Sequence, residues 1–377
     1  MKISQAVILA AGKGTRIYPL TLTKPKPLLK VCGKTILEHD LEQVKGLVKE
    51  VILVIGYRGE EIKKLIGDNY KGVKMKYVWQ KNQQGTGDAV KKCQPLLKDK
   101  FLLLYGDDLY SKEDIQKCLR KFPCILLKKI EEAKAFGQVI VKKNLIQELK
   151  EKPKRIFSNL VNTGVYFLDK EILNLKIKKS ERNEYEFTDY IKEFIKKEKL
   201  HSVLAKDWIP LPYAWSLLNA NEFLLSKSKI EKSALIKKGV YIEGPVYIGK
   251  NCVIGPNCYL RKHTSIGDNC HIGQAVEIKN SIIGDSTKIN HLSYIGDSII
   301  GEKCNFGAGT ITANLRHDYA TVKTMVKGEL VDTKRKKLGT IIGDNVKTGI
   351  GTLIYPGRKI WPNKFTRPGE IVTKDII

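Results

Sequence analysis

The chain has 377 residues, of which 42% are apolar, and a formal charge of +27. That length suits two cores better than one. No apolar run approaches the ~20 residues that span a bilayer, and no export signal precedes the first strand, so a cytoplasmic protein without a membrane partner is expected. The lysines are spread over the whole sequence and no DNA- or RNA-binding motif accompanies them. The charge therefore points to a Lys-rich surface and to polyanionic small molecules rather than to nucleic acid. The eight cysteines include no CxxC pair, which argues against zinc. A reducing compartment argues against disulfides too.

The first apolar run, Ile3 to Ile8, reads as a β-strand. It leads into LAAGKGTRIYPLTLTKPK, Leu9 to Lys26. Gly12 and Gly14 leave the backbone bare, so its N–H groups can approach phosphate oxygens. Arg16 adds a planar fork of donors, and Lys26 after Pro25 adds a second cation. A strand, a glycine loop and two cations in that order suggest a triphosphate site. Apolar runs at 6–9 (within that first strand), 51–55 and 101–105 read as buried strands, and 35–48 and 86–98 have helical spacing. Such alternation predicts a doubly wound, mostly parallel α/β sheet, with ligands beyond the C-terminal ends of its strands. The 10–16 loop and Gly106–Asp107–Asp108 both occupy that position. Asp107 is either a turn residue or a Mg2+ ligand, and the neighbouring glycine loop tips the choice to the metal. Gln80, Gly85 and Thr86 in WQKNQQGTGDA are either a plain polar loop or a reader of a base edge. Gly137, Glu151–Lys152 and Asn162 are either solvated turns or groups suited to a sugar phosphate.

Ser216 to Lys232 has helical spacing and reads as a linking helix, with a domain boundary near 228. From 236 onward apolar residues recur every sixth position: Ile236, Ile242, Ile248, Ile254, Leu260, Ile266, Ile272 and Ile278. After a one-residue slip the period resumes at Ile283, Ile289 and Ile295. A hexapeptide period predicts a parallel β-helix whose coils hold three units each. Two residues before each apolar position lies a small slot, which Cys252, Cys258 and Cys270 fill as core residues. The period breaks between 313 and 339, where Lys334–Arg335–Lys336–Lys337 carries charge suited to the phosphates of coenzyme A or simply to water. Arg261, Lys279, His291, Tyr294, Asn305 and Asn314 are spaced by about a coil or its multiples, so they can share one face. Histidine can take a proton from an amine near neutral pH.

The string from Gly12 to Lys26 resembles G-x-G-T-R-x-x-P-x-T-x-x-x-P-K, the signature of the sugar-1-phosphate nucleotidylyltransferases. The likeness extends to about residue 225. It implies a Rossmann-like nucleotidyltransferase domain over 1–228 in which Leu9, Ala10, Ala11, Gly12, Gly14, Thr15, Arg16 and Lys26 hold UTP or dTTP. Arg16 and Lys26 would act in catalysis, Gln80, Gly85 and Thr86 would read the base, and Asp107 would bind Mg2+. Gly137, Glu151, Lys152 and Asn162 would line the sugar-phosphate pocket. One segment departs from the family: the W-x-D-x-G-x-P-W-like stretch is WIPLPYAW (208–215), with Pro210 at the position of a second metal-binding carboxylate. Asp207 then substitutes, or the first activity is weak.

Residues 277–316, EIKNSIIGDSTKINHLSYIGDSIIGEKCNFGAGTITANLR, resemble the acetyltransferase half of the bifunctional UDP-N-acetylglucosamine synthases, in their archaeal form. The likeness implies a left-handed β-helix of hexapeptide repeats over 229–377, assembled as a homotrimer. His291 would be the general base toward glucosamine-1-phosphate. Arg261, Lys279, Tyr294 and Asn305 would grip the sugar phosphate, and Ala308, Asn314, Leu315 and Lys323 would meet acetyl-CoA. The expected product chain runs through N-acetylglucosamine-1-phosphate to its UDP derivative. Two narrower readings stay open: an acetyltransferase with a vestigial nucleotide domain, or a nucleotidylyltransferase whose β-helix only assembles the protein.

Overall fold

A computed structural model describes residues 3–377. They form two compact units. One comprises the chain up to Lys13, Pro25–Leu28 and Ile36–Pro210; the other comprises Gly14–Lys24, Leu29–Thr35 and Leu211–Ile377.

The first unit is built on ten strands: β1 (Ile3–Ala10), β2 (Val48–Ile55), β3 (Asn69–Tyr70), β4 (Val73–Trp79), β5 (Lys100–Tyr105), β6 (Cys124–Lys129), β7 (Gln138–Lys142), β8 (Leu145–Lys150), β9 (Leu160–Asp169) and β10 (His201–Leu204). Their order in the sheet is β7-β8-β10-β6-β9-β5-β1-β2-β4-β3. The central run β5-β1-β2-β4 is parallel, as the unbroken apolar runs require of strands covered on both faces. Strand β9, between β5 and β6, pairs antiparallel with both. Alternate residues serve opposite faces. Ala6, Ile8, Val51, Leu53, Leu102 and Leu104 join one core with the apolar sides of α1 (Ile36–Val44), α2 (Gly59–Ile66) and α4 (Lys112–Leu119). Val7, Ile52, Val54, Phe101 and Leu103 join the other with α3 (Thr86–Lys92) and α5 (Phe187–Ile195). The helices at 35–48 and 86–98 are thus shorter than their spacing suggests, because Gly46 and Pro95 end regular helix.

In the second unit the helix α6 covers only Ser216–Leu224. The stretch expected to continue it to Lys232 turns into a strand instead, Lys229–Ile230, which pairs with Tyr247–Ile248. Three parallel sheets follow, and successive short strands pass from one to the next. Tyr241 pairs with Tyr259 and Tyr259 with Glu277, 18 residues apart each time, so three hexads make one coil. Glu277 pairs with Tyr294, only 17 residues on, which is the one-residue slip of the sequence absorbed without loss of register. Ile248, Ile254, Leu260, Ile266, Ile272 and Ile278 are fully buried along the axis. The cysteine slots are buried as well, and their thiols reach carbonyls of the next coil: Cys258 Sγ lies 2.6 Å from Gly273 O and Cys252 Sγ 2.9 Å from Gly267 O. Ile311 pairs with Leu353, 42 residues later, because an insertion leaves the coil there and carries a hairpin of Lys323–Val326 and Glu329–Asp332.

The same unit claims the segment after the glycine loop. Thr23 Oγ1 donates to Asp344 Oδ2 (2.6 Å), Lys24 pairs with Glu302 and Asp344, and Lys30 pairs with Asp285 at 2.5 Å. Lys359, 2% exposed, donates from Nζ to Tyr18 O (3.1 Å) and Met325 O (2.5 Å).

Two outcomes follow from this packing. A Cβ on Gly273 would lie 1.9 Å from Asn290 O in the adjoining coil, with no flexible side chain to yield. Gly273→Ala should therefore lower the melting temperature by several degrees, although glycine-to-alanine changes in open positions stabilise. Burial pushes the Lys359 ammonium down from 10.5 to about 8. Between those values the unfolded chain keeps a proton that the folded chain has released, so this residue adds stability as pH rises. Relative to Lys359→Met, the native protein should gain up to about 3 kcal/mol from pH 7.5 to 10.5 in denaturant titrations.

Candidate active sites

In the first unit the C-terminal ends of β5, β1, β2 and β4 are drawn together by backbone contacts that only glycine allows. Gly106 N donates to Leu9 O at 2.9 Å, and a Cβ there would meet Ile8 Cγ2 at 2.6 Å. A Cβ on Gly56 would meet Gln80 O at 2.7 Å and Ala11 O at 2.9 Å. Leu9 and Ala10, which end β1, and Ala11 just beyond it thus sit in a fixed frame, whereas a Cβ on Gly12 would meet nothing within 4 Å. Gln80 is nearly buried, and its amide nitrogen donates to Gly85 O (3.0 Å) and Asp88 Oδ2 (2.8 Å). With the amide hydrogens so engaged, its oxygen remains as an acceptor, the group that a pyrimidine N3–H requires. Gly85 has φ +105°, and a Cβ on it would lie 2.4 Å from Tyr185 O. Thr86 Oγ1 accepts from Phe187 N at 2.9 Å, which joins the two loops.

Asp107 follows β5, half-exposed, and accepts from buried Lys26 Nζ at 2.9 Å. Behind them lies Asp40 of α1, fully buried, with no hydrogen-bond partner for either carboxyl oxygen among the described residues. Burial, and then the charges of Asp108 and Asp107, push its carboxyl well above the ordinary range, while Lys26 opposes the shift. Asp108 accepts from Trp208 Nε1 at 3.1 Å, and Trp208–Ile209 pairs with Leu109–Tyr110. Trp208 and Ile209 therefore pack beside the Asp107 loop although Pro210 supplies no ligand. The backbone of Asp207 is tied to Asp114 Oδ2 at 2.8 Å. Among the described residues no group of three His, Cys, Asp or Glu side chains could hold a metal. The donor chemistry at Asp107 still suits Mg2+, which takes one or two carboxylates and completes its shell with substrate phosphates and water.

The four residues expected at the sugar phosphate come together. Asn162 N donates to Gly137 O at 2.8 Å, a Cβ on Gly137 would lie 2.8 Å from Glu151 Oε2, and Lys152 Nζ stands 3.4 Å from Glu151. Two neighbours were not foreseen. Arg182 lies 3.7 Å from Glu151 and 2.5 Å from Glu186. Burial raises the Glu186 carboxyl, Arg182 pulls it down and Glu151 raises it further. Nothing in RNEYEF (182–187) marks that pair, because Arg182 sits in an irregular loop and Glu186 at a helix start.

Gly14, Thr15 and Arg16 belong to the second unit. Gly14, at φ +63°, begins the short turn Thr15–Ile17, and the Arg16 guanidinium lies 6.0 Å from the Tyr213 ring centroid. Tyr213 stacks on Trp215 at 4.4 Å. The aromatic end of WIPLPYAW is thus a platform for Arg16, a role that spacing alone does not reveal.

Along the coils, register brings Arg261 beside Lys279 and Lys279 beside Gly296, while Tyr259, Glu277 and Tyr294 form the adjoining column. Arg261 Nη1 pairs with Glu277 at 3.1 Å. Lys279 Nζ lies 3.7 Å from buried Asp297, and Asn314 Nδ2 donates to Asp297 Oδ2 (2.5 Å) and Tyr294 OH (3.1 Å). Gly296 leaves the room these groups occupy, since a Cβ there would meet Tyr294 OH at 2.4 Å. His291 ends the strand Lys288–His291, exposed, opposite Gln274 and one turn before Tyr294. Arg261, Lys279, Tyr294 and Asn314 therefore gather, with His291 at the corner. Asn305 lies on the neighbouring face between Lys288 and Lys347. Ala308 O accepts from Gly351 N (2.7 Å), Leu315 pairs with Lys337, and Lys323 opens the inserted hairpin. Glu277 and Asp297, which hold the cations in place, were not among the expected residues.

The nucleotidyl transferase family matches residues 5–227, and the GMPPB C-terminal domain matches 242–376. The bifunctional protein GlmU of Methanocaldococcus jannaschii is 42% identical over 98% of this chain and 95% of its own. This chain belongs to the bifunctional GlmU family. A bifunctional sugar-1-phosphate nucleotidylyltransferase/acetyltransferase of Sulfurisphaera tokodaii is 36% identical over 99% of this chain and 98% of its own. A solved structure from Bacillus anthracis, named for glucose-1-phosphate thymidylyl transfer, matches 59% of the chain at 24% identity with a TM-score of 0.53, which supports the fold of the first unit. No helix of the described residues is long and apolar enough to cross a membrane.

The empty surroundings of Gly12 lead to an expected outcome in this GlmU-family chain. Gly12→Ala should fold with an unchanged melting temperature but raise the KM for nucleoside triphosphate roughly 10-fold, because the methyl group would occupy space close to the phosphates.

Proposed function

We propose that this enzyme makes UDP-N-acetylglucosamine in two steps. It is a glucosamine-1-phosphate acetyltransferase and a sugar-1-phosphate nucleotidylyltransferase, with residues 1–228 and 229–377 as the two functional domains. The observation that carries the reading is the gathering of Arg261, Lys279, Tyr294 and Asn314 beside exposed His291, in a chain whose relatives are bifunctional. The second domain is a left-handed β-helix, and the enzyme works as a cytoplasmic homotrimer.

In the first step the sugar phosphate lies against Arg261 and Lys279. His291 accepts the proton of the glucosamine amine as its nitrogen attacks the acetyl carbonyl of acetyl-CoA. The C–N bond forms, the C–S bond breaks and coenzyme A leaves as the thiol. Asn305 helps grip the sugar, and Ala308, Asn314, Leu315 and Lys323 contact acetyl-CoA.

In the second step an oxygen of N-acetylglucosamine-1-phosphate attacks the α-phosphorus of UTP or dTTP, and pyrophosphate leaves. Leu9 to Gly12 with Gly14 and Thr15 hold the nucleotide, and Arg16 and Lys26 offset the charge on the phosphates. Gln80 accepts from the pyrimidine N3–H, with Gly85 and Thr86 shaping that loop. A base without N3–H, such as cytosine, then leaves a buried acceptor unpaired, which selects against it. Gly137, Glu151, Lys152 and Asn162 position the sugar phosphate. Mg2+ at Asp107 would neutralise phosphate charge. Positioning and electrostatics suffice, so no covalent enzyme intermediate is required.

Two assays separate the steps. His291→Ala should reduce acetyl transfer 10²- to 10⁴-fold and leave pyrophosphate release from UTP and N-acetylglucosamine-1-phosphate intact. Asp107→Ala should do the reverse. Wild-type enzyme that releases no pyrophosphate from UTP or dTTP, or a His291→Ala variant that acetylates normally, would remove the corresponding half of the proposal.

A further inference from the structure

Lys359 opens the strand Lys359–Ile360 of the C-terminal coils, and neither of the two transfer steps uses it. Its ammonium is partnered by two carbonyls. Nζ donates to Met325 O (2.5 Å) in the inserted hairpin and to Tyr18 O (3.1 Å), two residues after Arg16. Asp375 accepts from the backbone N of Lys359 instead, at 2.9 Å. Taking an ammonium out of water is costly, and the cost shows in its acidity, pushed down to about 8 by burial. An apolar side chain of similar length, such as methionine, would fill the same space without that cost. What the ammonium adds is a fixed direction for two carbonyls that lie far apart in the chain.

The hairpin is held without it. Lys323 O accepts from Arg358 Nη2 (3.0 Å), and Thr324 Oγ1 donates to Gly357 O (2.6 Å). The Arg16 turn is a different case. Its own bonds close on Gly14, whose carbonyl accepts from Ile17 N (2.9 Å) and Thr21 Oγ1 (2.8 Å), and Ile17 is buried. Arg16 is exposed, with its guanidinium over the Tyr213 ring. A ring face holds a guanidinium without using up its N–H donors, which stay available to phosphate. The same contact is tolerant of sliding, because the face of a ring has no fixed acceptor. Where the guanidinium comes to rest along the ring then follows the backbone of the turn, and Lys359 holds that backbone at Tyr18.

We infer that Lys359 is a positioning residue for nucleotidyl transfer: from the C-terminal coils it fixes the Tyr18 carbonyl and so sets where the Arg16 guanidinium meets the nucleotide phosphates. This rests on the reading of Arg16 as a ligand of those phosphates. A residue of the acetyltransferase half of the sequence thereby serves the other reaction.

The test uses the full-length enzyme at pH 7, where the Lys359 ammonium is charged. It reads the Kd for UTP and dTTP in the presence of Mg2+ by calorimetry, and the kinetics of acetyl transfer. Lys359→Met should weaken nucleotide binding about 10-fold and leave the acetyl-transfer kcat and KM values within about 3-fold of wild type. Arg16→Ala should weaken nucleotide binding about 10- to 100-fold. Adding Lys359→Met to Arg16→Ala should cost nothing more, because the lysine acts through the arginine. Thr324→Val loosens the hairpin and leaves Tyr18 held, so it should bind nucleotide like wild type. Additive losses in the double variant would overturn the assignment, as would an equal loss of acetyl transfer or a matching loss in Thr324→Val, since each is the mark of a purely structural lysine. If Lys359→Met does not fold, Lys359→Gln, which keeps a donor without the charge, carries the same comparison. Arg16→Ala separates the two levels of inference. If it binds nucleotide normally, the reading of Arg16 itself falls; if it binds weakly while the Lys359 variant binds normally, only the Lys359 assignment falls.

Discussion

Stacking one coil on the next at the spacing of hydrogen-bonded strands forces residues one coil apart into a single column. Everything in the second unit depends on that constraint. Inside, it puts an apolar residue over an apolar residue and leaves so little room that Gly273 cannot accept a methyl group. Outside, it sets Arg261 beside Lys279, and Tyr259, Glu277 and Tyr294 in the next column. A column of like charges would be unfavourable, and the structure relieves it only partly. Glu277 and Asp297 neutralise some of the charge, and Gly296 interrupts the column where Tyr294 and Asn314 need space.

The first unit reaches its site by other means. Four parallel strands end at the same level, and glycines at 56 and 106 let their outgoing chains cross almost in contact. Against that rigid frame, Gly12 stands out by the open space around it. The buried, unpartnered Asp40 behind Lys26 and Asp107 is the opposite case. It is a polar group in a place where a core residue would pack, and Lys26, which pairs with Asp107, opposes the upward shift that burial gives its carboxyl.

How much of this the sequence discloses depends on the distance over which a signal acts. The hexads and the buried strand runs are local patterns, so Ile248 to Ile278 and the cores around Val7 and Leu103 were legible from spacing. The gathering of Gly137, Glu151 and Asn162 was legible through resemblance alone, since three polar loops carry no period. Arg182 and Glu186 were invisible, because an ion pair in an irregular loop has no pattern. The KRKK run shows a subtler failure. Composition treats it as one charged patch, whereas Arg335 is half-buried and bonded to Asn219, and Lys337 is bridged to Leu315. The helix expected to run to Lys232 failed for a related reason: Lys229–Ile230 finds a strand partner in Tyr247–Ile248, and tertiary pairing overrides helical spacing.

The segment that follows the glycine loop carries a consequence for the history of such chains. Thr23 bonds Asp344 across 321 residues, and Tyr18 shares Lys359 with the inserted hairpin. Residues 14–24 are thus, in folding terms, a contribution of the N-terminus to the C-terminal unit. A gene split at the end of the first domain would leave Glu302, Asp344 and Lys359 facing solvent and would leave the Arg16 turn without its support. Two enzymes joined end to end could be exchanged like beads, but an enzyme that has lent its own loop to its neighbour has to be inherited whole.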